Sequence, residues 1–166
     1  MKLKTLNDLF VDCVKDLYSA ENQLLKALPK LAKKATTPEL KQSFERHLAE
    51  TEVQKERLDQ ISELLEISPK GKKCAAMEGL ITEAEELIAE VKEPDVLDAA
   101  LIGAAQKVEH YEIASYGTAA TYAKLLNNPE VLKLLAATLE EEKKTDALLT
   151  ELAEGIVNEK AAQVEK

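Results

Sequence analysis

The chain has 166 residues, of which 31 are Asp or Glu and 22 are Lys or Arg, so its formal net charge is −9. This length suits one domain, and a net negative charge with no basic run longer than pairs such as Lys72-Lys73 excludes a simple nucleic-acid binder. Only five glycines, five prolines and few aromatic residues accompany an excess of Ala, Leu, Glu and Lys, which predicts long helices rather than a sheet.

The cysteines and the start of the chain indicate where the protein is located. Cys13 and Cys74 form neither a disulfide framework nor a CxxC pair, and the first residues, MKLKTLNDLF, lack the apolar segment of a secretory signal. No apolar run approaches the roughly 20 residues of a transmembrane helix. We therefore expect a soluble protein of the reducing cytoplasm, with neither a membrane nor a nucleic acid as partner.

Helix starts are marked along the chain by proline behind a capping residue, the usual arrangement of a first helical turn. Thr37-Pro38, Glu93-Pro94 and Asn128-Pro129 fit this description, and Thr5 with Asp8 resembles a capping box. These signals predict helix A over about 5–35, helix B over about 38–66, a shorter helix near 73–91, helix C near 95–126 and helix D near 129–157. Residues 158–166 are expected to form a flexible tail, which leaves 1–157 as the domain.

The lengths of the links predict how the helices are arranged. Links A–B and C–D are only a few residues long, so each pair should form an antiparallel hairpin, whereas the B–C link is long and carries the shorter helix. Four long helices with one long crossover are typical of the ferritin-like arrangement. We therefore predict an all-α fold, a ferritin-like up-down-down-up four-helix bundle with a short extra helix in the crossover.

Every long helix carries an apolar stripe that turns polar near its middle when it is read at alternating steps of three and four residues. In helix D this stripe is Leu132, Leu135, Leu139, Glu142, Asp146, Leu149, Ala153 and Ile156. Across the four helices, the polar positions on or beside the stripes are Glu21 in helix A, Glu50 and Gln54 in helix B, Glu109 and Glu112 in helix C, and Glu142 and Asp146 in helix D. At 1.5 Å per residue, the acids lie about 20 to 28 Å from the short turn of their hairpin, which predicts a single layer across the bundle.

Carboxylates that converge in a core repel one another or take up protons unless a cation lies between them. Oxygen-rich sites suit Fe or Mn, and bundles of this kind hold two metal ions with Glu from two helices and Glu-x-x-His from the other two. Neither helix B nor helix D has Glu-x-x-His, because Val53 and Thr145 occupy the third position after Glu50 and Glu142. Substitutes on the same faces are Gln54, Asp146 and His47. The sequence predicts a dinuclear Fe or Mn site with few or no nitrogen ligands.

Alternative interpretations are open at some of these positions. The acids could lie on solvated helix faces, as most glutamates do. His47 either hydrogen-bonds to Glu50 and orients it or is an ordinary core histidine. His110 points about 100° away from Glu109 on an ideal helix, which favours a supporting or packing role. The residues interpreted as packing residues are Tyr18, Tyr116 and Cys74.

The chain resembles a known family in five stretches, LYSAENQLLKALPKLA, HLAETEVQKERLDQI, KKCAAMEGLI, DAALIGAAQKVEHYEIASYGT and LEEEKKTDALLTELA. They are similar to the bacterial stress-induced YciF-type proteins of the ferritin-like superfamily, and the resemblance covers nearly the whole chain. It implies a ferritin-like bundle, a homodimer and a rubrerythrin-like dimetal site. The residues that it places at the ligand positions are Glu21, Glu50, Glu109, Glu112 and Glu142. The two histidines of the rubrerythrin pattern have no counterpart here.

Two functions follow as hypotheses. The first is a stress-related protein that binds two Fe or Mn ions and oxidises Fe(II) or consumes O₂ or peroxide, with Glu50 and either Glu112 or Glu142 bridging the ions and with Glu21 and Glu109 as terminal ligands. The second is a non-catalytic structural or partner-binding stress protein with a vestigial metal site. Whether the protein is an enzyme is left open. No Ser or Cys is paired with a His in a nucleophilic motif, and there is no Gly-rich phosphate loop.

Overall fold

Helices make up all the regular secondary structure of residues 3–164, the part of the chain that the computed structural model describes. They are α1 (Leu6–Lys34), α2 (Pro38–Leu64), α3 (Ala75–Glu90), α4 (Pro94–Leu125), α5 (Pro129–Leu152), a π-helical turn (Ala153–Val157) and α6 (Asn158–Ala161). Residues 1 and 2 of the predicted domain and residues 165 and 166 of the predicted tail lie outside the described part. None of the described helices carries an apolar stretch of the length that a bilayer span requires.

The helix starts lie at the predicted positions, and two of the four predicted capping residues, Thr5 and Asn128, make a side-chain capping hydrogen bond. The Thr5 hydroxyl accepts from the Asp8 amide at 3.1 Å, and the Asp8 carboxylate accepts from the Thr5 amide at 3.0 Å, which completes a capping box. Three further helices, α2, α4 and α5, begin with proline in the first turn. The Asn128 side chain also accepts from the Val131 amide at 3.3 Å. These local signals therefore set the helix boundaries.

The four long helices form two antiparallel hairpins that lie side by side. Helix α1 packs along α2 and α4 along α5, and the hairpins meet through α1 against α4 and α2 against α5. Cys13 contacts Ser115 near one end of the bundle, whereas Thr36 contacts Asp98 near the other, so α1 and α4 are antiparallel. The long crossover carries α3, which packs on α4 and α1. The predicted ferritin-like up-down-down-up bundle is confirmed.

The apolar core is divided into two clusters by a polar layer. The first apolar cluster, around Leu28, Phe44 and Leu149, lies near the α1–α2 turn, and the second, around Phe10 and Leu135, lies near the α4–α5 turn. Between them, every long helix contributes buried polar side chains. The members of this polar layer are Glu21, His47, Thr51, Gln54, Glu109, Glu112, Thr138, Glu142 and Thr145. The layer crosses the middle of the bundle.

The buried stripe of α5 differs from the predicted one at alternate positions. Leu135, Glu142 and Leu149 are buried as expected. Between them the core takes the threonines, Thr138 and Thr145, while the predicted Leu139 and Asp146 lie at the partly exposed edge of the helix. From Leu135 to Glu142 the buried face can advance by three and then four residues or by four and then three, so either Thr138 or Leu139 can point inward. The prediction chose Leu139 because leucine is more hydrophobic than threonine, but the structure buries Thr138 instead.

A buried aspartate fastens the α1–α2 turn to the start of α4. Asp98 accepts hydrogen bonds from the Thr36 amide at 2.8 Å, the Thr36 hydroxyl at 2.8 Å and the Thr37 amide at 2.6 Å. Burial by itself raises the pKa of Asp98, but these hydrogen bonds outweigh it and leave the pKa below its usual value. Asp98 therefore joins the two hairpins at one end of the bundle as an ionised acceptor.

Candidate metal centre

Four buried side chains from three helices converge inside the polar layer. His47 comes from the middle of α2, Glu109 and Glu112 from α4, and Glu142 from α5. One ligand atom from each lies within 4.8 Å of the ligand atoms of all the others. Glu109 and Glu112 are three residues apart on one helix, so both point the same way. We call these four residues the carboxylate–histidine cluster.

Glu21 of α1 lies beside this cluster and is completely buried. The hydroxyl of Tyr116, which is also buried, donates a hydrogen bond to Oε1 of Glu21. The other oxygen, Oε2, has no hydrogen-bond partner. Burial, followed by the charge of Glu142, raises the pKa of Glu21. Helix α1 therefore completes the polar layer, to which all four long helices contribute.

Gln54 connects the cluster to a surface ion pair. Its amide nitrogen donates to Oε1 of Glu142 and, at 3.2 Å, to Oε2 of Glu141. Arg57 holds Glu141 through two hydrogen bonds of 2.6 and 2.7 Å in the forked geometry that suits guanidinium and carboxylate groups. Glu142 thus faces the core while its neighbour Glu141 faces Arg57, and Gln54 presents an amide rather than a charge to the cluster.

Two of the predicted site residues, Glu50 and Asp146, are only partly buried and lie outside the polar layer. The Glu50 side chain is 34% exposed, accepts from the Thr145 hydroxyl at 3.4 Å and lies 3.9 Å from Arg46. Asp146 lies at the partly exposed edge of α5, where it accepts from Gln106 at 3.2 Å. The imidazole of His110, itself largely exposed, lies 3.2 Å from the other side of the same carboxylate atom. As metal ligands, Glu50, Gln54 and Asp146 stay predictions.

His47 lies on the predicted stripe of helix B, and the sequence left open whether it substitutes for a ligand, orients Glu50 or is an ordinary core histidine. The sequence offered only its own helix as a source of partners, which suggested Glu50 one turn away. In the structure the nearest carboxylate is on another helix, since Nε2 of His47 lies 3.4 Å from Oε1 of Glu109. The signal available in the sequence was that His47 lies on the apolar stripe of its helix and at the height of the acids.

Burial dominates the electrostatics of the site. It raises the pKa of Glu21, Glu109 and Glu112 well above the usual 4.5, and the negative charges of neighbouring carboxylates raise these values further. Burial likewise raises the pKa of Glu142 to about 7, although hydrogen bonds with Glu109 and Gln54 oppose the change. Burial, with the charge of Arg46, lowers the pKa of His47 to about 4. Without a cation, the cluster therefore retains protons on its carboxyl groups near neutral pH and keeps its imidazole uncharged.

The pattern of unpaired atoms tests whether these residues fit a metal ion. Within residues 3–164, nine buried side-chain polar atoms lack a hydrogen-bond partner, and eight of them belong to the cluster, Glu21 and Gln54. Folded proteins leave few such atoms. They are carboxylate or amide oxygens and imidazole nitrogens, which suit Fe or Mn. Two ligand atoms of one metal ion lie at most about 4.2 Å apart, so the 4.8 Å cluster requires only a small side-chain adjustment. The residues fit a carboxylate-rich metal centre.

The sequence is similar to proteins already grouped as a family. The family described as "Domain of unknown function (DUF892)" matches residues 5–162. Protein YciF of Escherichia coli strain K12 is 54% identical over 162 residues, which cover 97% of this chain and 98% of that protein. The matched region includes every residue of the polar layer.

Solved structures show the same fold. The crystal structure of the E. coli stress protein YciF matches with a TM-score of 0.90 at 54% identity, covering 94% of this chain and 99% of that chain. YcfI from Rhodopseudomonas palustris matches with a TM-score of 0.88 at 43% identity, covering 90% of this chain and 95% of that chain. A protein from Xanthomonas campestris pv. campestris shares the fold at 23% identity, with a TM-score of 0.76 and coverage of 97% and 99%.

Proposed function

The chain belongs to the DUF892 family, and from this premise we propose that it is a stress-related protein that holds a dinuclear Fe or Mn centre in its polar layer and oxidises Fe(II) or consumes O₂ or peroxide. The observation that carries the proposal is the concentration of unpaired buried ligand atoms at the carboxylate–histidine cluster. A bundle that used these acids only for packing would leave their burial uncompensated.

The roles of the side chains follow from their unpaired atoms. Both oxygens of Glu112 lack partners, so Glu112 is the best placed to bridge two ions. Glu109 and His47 would supply further ligand atoms, and Glu21 and Glu142 would each offer one free oxygen. A bound Fe or Mn pair supplies Lewis-acid and redox chemistry. The chain itself excludes bulk water by burying every member of the cluster.

Two neighbouring side chains keep the ligands in place. The Tyr116 hydroxyl fixes one oxygen of Glu21, and the Gln54 amide fixes one oxygen of Glu142. In each case the second oxygen is left free. Hydrogen bonds of this type orient metal ligands and hold the free ligand atom in the direction that metal binding requires. Because metal binding requires deprotonated carboxylates, Fe or Mn uptake should release protons from Glu21, Glu109 and Glu112 near neutral pH.

The test is metal binding by an isosteric variant. We expect the purified protein to bind Fe(II) or Mn(II) in a ratio of two ions per chain and to melt at a higher temperature when they are present, since a ligand that binds only the native state stabilises it. Glu112→Gln should abolish the second ion and most of the thermal shift. Glu50→Gln is the matched control, because Glu50 lies on the edge of the layer.

Absence of any metal-induced shift in the unmodified protein would contradict the proposal. Loss of metal in Glu50→Gln as well would show that Glu50 turns inward and acts as a ligand, as the sequence predicted. Oxidation of Fe(II) by O₂ or peroxide, followed optically, then tests turnover separately from binding.

A second candidate function is the non-catalytic structural or partner-binding stress protein with a vestigial site. It is favoured by the raised pKa of Glu109, which burial, the charge of Glu142 and a hydrogen bond to Glu142 all increase. Protonated carboxyl groups that bond to one another can satisfy part of the layer without a metal ion. This function predicts a melting temperature that Fe and Mn leave unchanged.

The homodimer stays a prediction, which sedimentation equilibrium tests.

A further inference from the structure

A mostly apolar cavity lies directly against the carboxylate–histidine cluster. It offers about 20 Å³ to the centre of a water-sized molecule, and its walls come from α1, α2, α4 and α5. Its apolar walls include Leu28, Phe44 and Leu149 of the first apolar cluster, and its polar lining consists of Ser43, His47, Glu109 and Thr145. About 10 to 15 Å³ on this measure is enough for one water molecule. The cavity therefore has room for a small molecule beside two of the candidate ligands.

A second cavity continues this space toward the surface. It lies between α1, α3 and α4, offers about 40 Å³ and shares Leu24, Leu31 and Val108 with the first cavity. Its outer end carries Lys30 and Glu85, whose side chains form an exposed ion pair of 2.8 Å. The same two residues line an open groove on the outer surface. The groove and the two cavities are thus neighbours beneath α3, and the side chains of Leu24, Leu31 and Val108 lie between the second cavity and the one at the cluster.

The lining indicates which molecules can use these spaces. A water molecule is stable inside a protein only with two to four polar partners, and cavities with apolar walls stay dry. Between the ion pair at the surface and His47 with Glu109 at the cluster, the second cavity is walled by aliphatic side chains such as Leu80, Ile81 and Ile88. Hydrogen peroxide, which needs hydrogen-bond partners as water does, is excluded from this aliphatic stretch of the second cavity by the same argument. A small apolar gas needs no hydrogen-bond partners, so it is not excluded from these spaces.

We propose that the two cavities form the entry route and holding site for dioxygen, and that dioxygen rather than peroxide is the oxidant that reaches the metal centre from the α3 side. This inference rests on the proposed function, since it names the oxidant of that site. The route ends at His47 and Glu109, whereas Tyr116 and Glu21 line neither cavity. Leu31, ten residues beyond Glu21 and shared by both cavities, controls the passage between them.

Xenon binding to the metal-free protein tests the route independently of any reaction. Xenon occupies dry apolar cavities in proteins. We expect crystals pressurised with xenon to show a site in at least one of the two cavities, and we expect Leu31→Phe to remove it and Leu31→Ala to enlarge it. An empty pair of cavities in the unmodified protein, or xenon occupancy that Leu31→Phe leaves unchanged, would overturn the inference.

Kinetics of the Fe-loaded protein test the choice of oxidant. Leu31→Phe should slow Fe(II) oxidation by O₂ about tenfold, which corresponds to about 1.4 kcal/mol of added barrier, and should leave oxidation by hydrogen peroxide unchanged. Leu31→Ala should not slow the reaction with O₂. Equal slowing with both oxidants, or slowing with peroxide alone, would contradict an O₂ route.

The chain offers a matched control for these variants. Leu132 is also partly buried, but it packs against the second apolar cluster and lines neither cavity. Leu132→Phe and Leu132→Ala should leave xenon binding and both oxidation rates unchanged. If the protein binds xenon but no Fe or Mn, the proposed function fails while the gas cavities stand. If it binds metal but xenon is absent, the metal centre stands and the route fails.

Discussion

At the scale of single residues, the hydrogen bond between Tyr116 and Glu21 shows how the bundle prepares a ligand. Both side chains are buried, and the phenol donates to one carboxylate oxygen while the other stays free. Burial and the charge of Glu142 raise the pKa of Glu21, and the Tyr116 hydrogen bond opposes that rise. The tyrosine therefore favours the ionised form that a metal ion needs.

Replacing Tyr116 tests this interpretation. Tyr116→Phe should weaken Mn(II) binding by about 10- to 100-fold, as is typical when a group that orients a metal ligand is removed. Isothermal titration calorimetry at constant pH measures the change. Tyr122→Phe on the same helix is the control and should bind Mn(II) as the unmodified protein does. Equal affinities for the two variants would show that Glu21 does not depend on Tyr116.

The individual residues also show what sequence reasoning could reach. Glu21, Glu109, Glu112 and Glu142 were identifiable because an acid on an apolar stripe breaks a helical period that is otherwise kept. The position of His47 against Glu109 depends on how two helices face each other across the bundle, which no period within one helix describes.

At the scale of the helices, Asp98 is the main polar tie between the hairpins at the end where α1 turns into α2. It accepts three hydrogen bonds from Thr36 and Thr37 while completely buried. The two backbone donors belong to the short α1–α2 link, where no helix supplies them with acceptors. The start of α4 thus fixes the geometry of the first hairpin.

Removal of this acceptor should be costly. Asp98→Ala leaves two backbone amides unpaired and should lower the free energy of unfolding by about 3 kcal/mol, because hydrogen bonds to a charged group are stronger than ordinary ones. Urea unfolding followed by circular dichroism measures the loss. Asp95→Ala, in the first turn of the same helix, should cost less than about 1 kcal/mol through the helix dipole alone. Similar losses in both variants would contradict the role given to Asp98.

The helices differ in how far their buried faces could be predicted. Read at the same steps of three and four residues, the predicted stripe of α4 is buried at every position, Ile102, Ala105, Glu109, Glu112, Tyr116, Ala119 and Ala123. In α5 the register was ambiguous, since Leu139 competes with Thr138 for the same turn. Packing against α2 decided it, as Arg57 donates to the Thr138 hydroxyl at 3.2 Å. The contact between Arg57 and Thr138 thus outweighed the greater hydrophobicity of Leu139.

At the scale of the whole molecule, the polar layer makes stability depend on pH. The raised pKa values of Glu21, Glu109, Glu112 and Glu142 mean that the folded protein binds more protons than the unfolded chain above about pH 4.5. The stability that these carboxyl groups contribute is fully present below pH 4.5 and is lost as the pH rises through their pKa values in the folded protein. The lowered pKa of His47, about 4, acts in the opposite direction, but only up to about pH 6.5. Four carboxyl groups outweigh one imidazole.

The metal-free protein should therefore become less stable between pH 5 and pH 8. The change in the pKa of Glu142 from 4.5 to about 7 alone corresponds to about 3 kcal/mol over that range. Melting temperatures measured in chelator at several pH values test this, and Glu142→Gln should flatten the curve. With Mn(II) bound, the loss should disappear or reverse, because the metal replaces the protons. Stability of the metal-free protein that rises steadily from pH 5 to pH 8 would contradict the assignment.

The polar layer also has an evolutionary consequence. Buried acids between two well-packed apolar clusters reduce stability, and replacing such groups with apolar residues of similar size often stabilises a protein. A bundle selected only for durability would lose this layer through ordinary mutation, since stabilising substitutions are easy to reach. An apolar redesign of Glu21, His47, Glu109, Glu112 and Glu142 should thus give a more stable protein, so stability alone does not account for the acids in this layer.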